Sequence, residues 1–438
     1  MQYLVTLTLG NQSDSTGTYN LVDGTLQTGA TMVGLAGTGT LNQTGGTHTV
    51  TSTVALGHDS TGIGNYKLEG GDLISQGVAV NNGEFWQTSG TNTITNDKWL
   101  TVSANPGGEA KYTMDGGTLE TFGEDIGSQG PGTFTQNDGE HRVTANIPGQ
   151  GLRVGGAAPG YFYLRGGSLE TQELSISNGE FLQQAGTMNT VGRELNIIAN
   201  PGGSAKYTLE GGTLDAASEW IGREGSGTFI QQDGDHTVSG TNPGQGLMMG
   251  GSAPGYFNLE GGTLNTYNVG VGQGVFRQLA GTTNTIGNQI VVSTTESGES
   301  KYSLEGGDLF TNNIIVGLLG HGEFQQDPGS THTVSGGMNI GSSPSGTGQY
   351  TLAGGSLSFG SGAQLKIGNQ GIGTFMQTGG EVSWTPSVTV WGSRARRLRT
   401  IWVCWRRHSA RSWIGSREPT PRSWCAPTMV RWTLGRVT

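Results

Sequence analysis

Hydrophobic and polar positions alternate along this chain in short bursts, and the bursts recur. One phrase, aromatic-x-Leu/Met-x-[G or D]-G-x-Leu, reads YNLVDGTL from Tyr19, YKLEGGDL from Tyr66, YTMDGGTL from Tyr112, FYLRGGSL from Phe162, YTLEGGTL from Tyr207, FNLEGGTL from Phe257, YSLEGGDL from Tyr302 and YTLAGGSL from Tyr350. A second phrase, aromatic-x-Gln before a Gly-rich pair, answers it. It reads LNQTGG from Leu41, FWQTSG from Phe85, FTQNDG from Phe134, FLQQAG from Phe181, FIQQDG from Phe229, FRQLAG from Phe276, FQQDPG from Phe324 and FMQTGG from Phe375. Period-2 alternation bounded by glycine predicts strands of four to six residues. The aromatic and the Leu or Gln two positions later share a face, which we place inward.

Successive first-phrase aromatics stand 47, 46, 50, 45, 50, 45 and 48 residues apart, with the second phrase near the middle of each interval. The unit is therefore roughly 23 residues, the size of one solenoid coil. No stretch of ten residues carries apolar i, i+3, i+4 spacing, so helix is excluded as a major element. The prediction is an all-β, right-handed parallel β-helix of about sixteen coils in eight two-coil repeats, with corners at Gly, Asn, Asp and Ser. A longer register is superimposed: NPGGEAKYTMDGGTLET from Asn105 returns from Asn200 as NPGGSAKYTLEGGTLDA, and the text from Gly149 returns from Gly244. Both shifts are 95 residues. Four coils were duplicated as a block, and sixteen coils at strand spacing make a rod about 75 Å long.

Composition fits one elongated domain over residues 1–392. A solenoid grows in one dimension around a thin core, so 32% hydrophobic residues suffice here. Up to Gly392 the chain holds 12 Lys and Arg against 32 Asp and Glu, a net charge of −20. That excludes nucleic acid as a partner, because phosphate backbones reward Lys and Arg. No cysteine precedes Cys404, so disulfides and thiolate metal sites do not support the repeats. There is no 18-residue apolar run and no signal-peptide pattern; the chain starts in mid-coil, and we read it as a fragment without its caps.

Candidate chemistry is sparse. His48, His141, His236 and His332 follow the second phrase, with Asn92, Asn189 and Asn284 in the intervening copies. Consecutive histidines lie about 19 Å apart at strand spacing, whereas zinc ligands stand about 2 Å from their metal. They cannot share an ion, and we read them as stacked polar side chains in a turn. Glu69, Asp115, Glu210, Glu260 and Glu305 precede the Gly pair, with Arg165 and Ala353 as exceptions. Parity turns this column outward, as solvated charge or as a weak contact for a divalent cation or glycan. The calcium-binding nonapeptide GGxGxDxUx is absent.

Gln43, Gln87, Gln136, Gln183, Gln231, Gln278, Gln325 and Gln377 stand where Leu or Met stands in the first phrase. Facing inward, each must hydrogen-bond turn backbone, since an unsatisfied buried amide costs about 1–3 kcal/mol. Strings such as Pro201-Gly202-Gly203 are turns, with no helix after them to bind phosphate. No Ser-His-Asp or Cys-His set stands apart from the repeats, and no coil carries a unique insertion with paired carboxylates. No catalytic, cofactor or metal residue is assigned.

The alternating G-x-[YF]-x-L-x-G-G-x-L and G-x-F-x-Q-x-G-G-x-[HN]-x-V phrases resemble the Gly/Thr-rich repeat proteins of bacterial exteriors. These include autotransporter-like β-strand-repeat passengers and large exoproteins sorted by a C-terminal anchor. The resemblance spans about residues 1–392 and implies a secreted or surface-attached protein. The expectation is a non-enzymatic stalk, adhesin or matrix component with a glycan or cell-surface partner. The alternative is a carbohydrate-active β-helix, a polysaccharide lyase or hydrolase of the tailspike kind. An ice-binding Thr face ranks third, because pairs such as Thr6-Leu7-Thr8, Thr38-Gly39-Thr40 and Thr91-Asn92-Thr93 do not recur on every coil.

From Ser393 the text changes abruptly: residues 393–438 hold eleven Arg, five Trp, both cysteines and no Lys. Gly-rich coding sequence read out of frame yields Arg and Trp. Arg399-Thr400-Ile401-Trp402 can be encoded so that a shifted frame reads Tyr-Asn-Leu, as at Tyr19, about 50 residues after Tyr350 where the next phrase is due. We read the tail as frameshifted, with no coil pattern to fold on. Resequencing the locus should restore a further coil phrase after Gly392, and deleting residues 393–438 should leave the melting temperature of the rod unchanged. A confirmed frame or a large loss of stability would make the tail a genuine cap.

Overall fold

In a computed structural model that describes residues 5–242, 244–296 and 298–385, the alternating bursts are parallel strands and no helix is present among them. The tail 393–438 lies outside the described residues. Each coil makes three strands. The aromatic phrase forms the first, as in Ile63–Leu68; the second follows the Gly corner, as in Asp72–Ser75; the third is short and aliphatic, as in Val78–Val80. The next coil then begins at Gly83 and pairs in register, Phe85 beside Tyr66 and Gln87 beside Leu68.

First strands stack into a sixteen-stranded parallel sheet running from Thr16–Leu21 to Ile372–Gln377. The second and third strands form a 26-stranded sheet, because they merge into one bent strand in several coils. Ser168–Ile176 and Thr263–Val271 are examples, each with a register shift at the bend. The chain is thus a β-solenoid of about sixteen turns.

Its coils are less uniform than a 23-residue unit. Tyr66 to Phe85 takes 19 residues and Phe134 to Phe162 takes 28, yet both pairs sit in register. The extra length bulges out at corners: residues 144–151, and 239–242 with 244–246, between second and third strands, and residues 103–109 and 198–204 before the next coil. Each pair of bulges is related by the 95-residue block. Polar corner loops change length at little cost because the inner columns never see them.

The corner between first and second strands is fixed differently. A glycine with positive φ stands there in every coil, from Gly24 (86°) through Gly139 (97°) to Gly380 (68°). At most of these corners the neighbouring coil also approaches too closely for a side chain: a Cβ on Gly139 would lie 2.6 Å from the Gly117 carbonyl oxygen, whereas one on Gly186 or Gly281 would meet nothing within 4 Å. Left-handed φ selects glycine at all of them, and backbone contact reinforces the choice where it occurs.

Inside, fourteen rings stack without a break from Tyr66 to Phe375. Neighbouring centroids from Tyr66 to Tyr350 lie 4.6–4.9 Å apart, and Tyr350 to Phe375 is 5.3 Å. The spacing is that of hydrogen-bonded strands, about 4.7–4.9 Å, so coil rise and ring stacking satisfy each other. Offset aromatic pairs add about 0.5–1.5 kcal/mol each beyond the area they bury. Leu, Val and Ile of the second and third strands complete the core, among them Leu119, Val154 and Leu169. Phe229, fully buried between Tyr207 and Phe257, is the sharpest probe. Phe229→Ala should cost about 3–5 kcal/mol in denaturant unfolding followed by circular dichroism, whereas Thr228→Ala on the outer side should stay within about 0.5 kcal/mol.

Candidate functional site

The polar residues singled out in the sequence meet across the core. Glutamine follows the ring by two positions in alternate coils, pointing inward from the first sheet. Gln43, Gln87, Gln136, Gln183, Gln231 and Gln278 are all fully buried. The seventh member is Gln326, buried two positions after Phe324, and Gln325 lies on the outer side, where Lys301 donates to it. The expectation for Gln325 is therefore corrected by one position, since side chains alternate along a strand. Gln377, in the last described coil, donates to the Gly380 carbonyl. The histidines are corrected too. They sit on second strands rather than in turns, buried between leucines, as with His141 paired to Leu119 and Leu169. Parity puts the middle residue of T-H-T and T-N-T inward and its threonines outward.

Gln–Asn and Gln–His layers close in three ways. In each, the glutamine Nε2 donates to a backbone carbonyl, as Gln136 does to Gly139 at 3.1 Å and Ser168 at 3.0 Å. That leaves Oε1 as an acceptor facing the core. Where Asn stands opposite, the next coil supplies a tyrosine: Asn92 donates to Tyr112 Oη (3.0 Å), and Tyr112 donates to Gln87 Oε1 (2.7 Å). Asn189 with Tyr207 and Gln183, and Asn284 with Tyr302 and Gln278, repeat this chain.

His48 and His332 use the same tyrosine bridge. Tyr66 donates to Gln43 Oε1 (2.6 Å), so its oxygen accepts from His48 Nδ1–H (3.0 Å). His48 Nε2 then accepts from the hydroxyls of Thr28 (3.3 Å) or Thr31 (3.2 Å). Tyr350, Gln326 and Thr311 surround His332 likewise.

In the third arrangement the next ring is Phe162 or Phe257, which has no hydroxyl. His141 Nδ1 reaches Gln136 Oε1 directly at 3.3 Å, and its Nε2 lies 2.8 Å from Glu124 Oε1. His236 repeats the geometry with Gln231 and Glu219 at the same distances. Both carboxylates are wholly buried, and their Oε2 atoms meet no hydrogen-bonding protein group. Glu124 and Glu219 are absent from the sequence reading. Their signal was present: a glutamate at an inward parity position 17 residues before a histidine, duplicated by the 95-residue shift.

The outer surfaces carry the remaining candidates. The acidic column does face outward, and much of it is partnered: Lys67 meets Glu69 at 2.6 Å, Arg277 meets Glu305 at 2.7 Å, and Asp115 accepts from Trp86 and Asn137. Among the described residues no group of three His, Cys, Asp or Glu is gathered to hold a metal. Thr38 and Thr40 lie on a first strand, Thr91 and Thr93 on a second and Thr8 on a third, so these pairs do not share one plane. A shallow groove of about 890 Å³ follows the glycine corner along five coils, lined by Thr118, Asp138, Glu140, Ser168, Met188 and Thr213. Asp138 caps its own turn by accepting from the Gly139 amide (2.8 Å). No family model, curated protein or solved structure matches this chain.

Burial disfavours charge in these layers. It lowers His48 from 6.5 to about 4 and His332 to about 3, and raises Tyr66 and Tyr207 well above the usual phenol range. For the two histidines the folded state binds protons more weakly than the unfolded chain. Their contribution is therefore complete above pH 6.5 and is lost as pH falls from there toward 4 and 3. The full loss is roughly 3 kcal/mol for His48 and 5 kcal/mol for His332. His48→Asn/His332→Asn adopts the arrangement of the Asn layers, which also have a tyrosine next. Denaturant titrations at pH 7, 5 and 4 should show a shallower acid loss in this variant than in the parent chain.

Proposed function

We propose that this chain is a non-enzymatic extracellular β-solenoid that works as a stiff structural or adhesive rod. The observation that carries the reading is the constancy of the cross-section. The coils place a ring, a Leu or Gln, and a Leu, His or Asn at the same inner positions, and most of their inward polar groups hydrogen-bond to one another or to corner backbone. Such a core gives length and rigidity, and it presents the same outer columns repeatedly, which suits many weak contacts in parallel. Extracellular placement rests on the likeness of the phrases to exported bacterial repeat proteins.

One feature favours a glycan as the surface contacted. The corner groove is long, open and lined by hydroxyls and carboxylates, the groups that hydrogen-bond sugar hydroxyls. If the groove were instead catalytic, Asp138 and Glu140 are the carboxylates it offers. Residues 1–392 should scatter X-rays as a rod. Incubated with pectins, alginates and host-type glycans, they should release no reducing ends or unsaturated products. Turnover that disappears in Asp138→Asn or Glu140→Gln would replace this reading with the carbohydrate-active one.

A further inference from the structure

The two Glu–His layers hold a proton that the other layers do not need. Gln136 Nε2 faces only carbonyls, so Oε1 must be the atom facing His141. His141 Nδ1 must therefore carry hydrogen, since two acceptors at 3.3 Å would repel. The opposite nitrogen stands 2.8 Å from Glu124 Oε1, and one further proton has to lie between them, whether the pair is imidazolium–carboxylate or imidazole–carboxylic acid. The same deduction holds for Gln231, His236 and Glu219.

We propose that Glu124–His141 and Glu219–His236 are proton-sharing locks that make the middle of the rod tightest in mildly acidic surroundings and loosen it as the medium turns alkaline. Their surroundings leave no other group to hold that proton. Around Glu124 and His141 the facing side chains are Leu100, Leu119, Leu152, Leu169, Phe134 and Phe162, with Thr121 donating to Glu124 at 3.1 Å. Tyr112 is the titratable group that faces the glutamate, as Tyr207 faces Glu219. The nearby charges Glu120, Asp125, Glu140, Arg142 and Arg153 stand on the outward side of their strands, as do Asp215 and Asp235 around the second pair.

The sign follows from counting protons. An unfolded Glu and His together hold one ionisable proton between about pH 4.3 and 6.5, two below that window and none above it. The folded geometry is built around one. Stability from each pair is greatest inside the window, and falls on the alkaline side by roughly tenfold in the unfolding constant per pH unit. Losing the proton would leave a buried carboxylate taking the Nε2 hydrogen while the bare Nδ1 faces Gln136 Oε1, acceptor against acceptor, which is the unpaired buried state that proteins avoid.

The test compares the full chain with Glu124→Gln/Glu219→Gln, in which an amide N–H can donate to a neutral Nε2. Hydrogen-exchange protection factors are measured from pH 6 to 9 in Glu140–Val143 and Asp235–Val238, with Thr91–Ile94 of an Asn layer as internal reference. In the parent chain, protection of the two pair strands should fall relative to the reference by up to tenfold per unit above about pH 6.5. In the variant the ratio should stay flat. If the variant folds poorly, a second one rewrites both layers as Asn layers: Glu124→Leu, His141→Asn, Phe162→Tyr, with Glu219→Leu, His236→Asn, Phe257→Tyr. It should show the same flat ratio. A parent ratio that does not change with pH, or an equal slope in the variants, overturns the proposal.

Discussion

Every side chain inside this rod lies over its counterpart one coil away, at the spacing of hydrogen-bonded strands, about 4.8 Å. That single distance governs the rest. Rings tolerate it because it matches aromatic stacking, so one aromatic column can run unbroken through fourteen coils. The corner between first and second strands takes a left-handed φ in every coil, and at most of these corners a Cβ would also strike the neighbouring coil, which is why glycine recurs there. Insertions are admitted only at corners, where they leave the stacking distance untouched.

Polar residues obey the same rule by being kept apart. A Gln–His or Gln–Asn layer is followed by a Leu layer, so each polar layer must satisfy itself with what its own coil and its immediate neighbours supply. Side-chain length then selects the partners. Asn is short and reaches only the bridging tyrosine, and the hydroxyls beyond it, Ser75 and Thr266, are left without a hydrogen-bonding protein group. His spans further and brings a second nitrogen, so it stands where Thr28, Thr31 and Thr311 or a buried Glu can meet it. Replacement of Tyr by Phe coincides with Glu, since without the hydroxyl the imidazole engages the glutamine itself. A buried hydrogen bond left half made costs more than it returns when complete.

The duplicated block separates what the core fixes from what solvent allows. Glu124, Gln136, His141 and Phe162 return unchanged as Glu219, Gln231, His236 and Phe257. Outside, the copies diverge. Asp125 pairs with Arg153, which also covers the Trp99 ring, whereas the second block places Trp220 and Met248 at the same positions with Arg223 over the indole. An inner position has packed neighbours on every side to satisfy at once; an outer one exchanges a neighbour for water at little cost.

The repeat period, the strand parity, the inward ring column and the outward acidic column were all legible in the sequence. Each depends only on residues close together in the chain and on the two-residue period of a strand. Parity also sufficed to find the buried glutamines, save where two stood together at Gln325 and Gln326. What the sequence could not yield was who faces whom across the core. His141 and Glu124 belong to different strands of successive coils, and their meeting depends on how three strands close a triangle, not on either local pattern. For the same reason the histidines read as turn residues until the coil was closed around them. Local periodicity determined the solenoid and its faces; only the closed tertiary section decided which polar groups meet across the core, because burial sets the cost of every unmet donor and acceptor and only closure brings partners from different strands together.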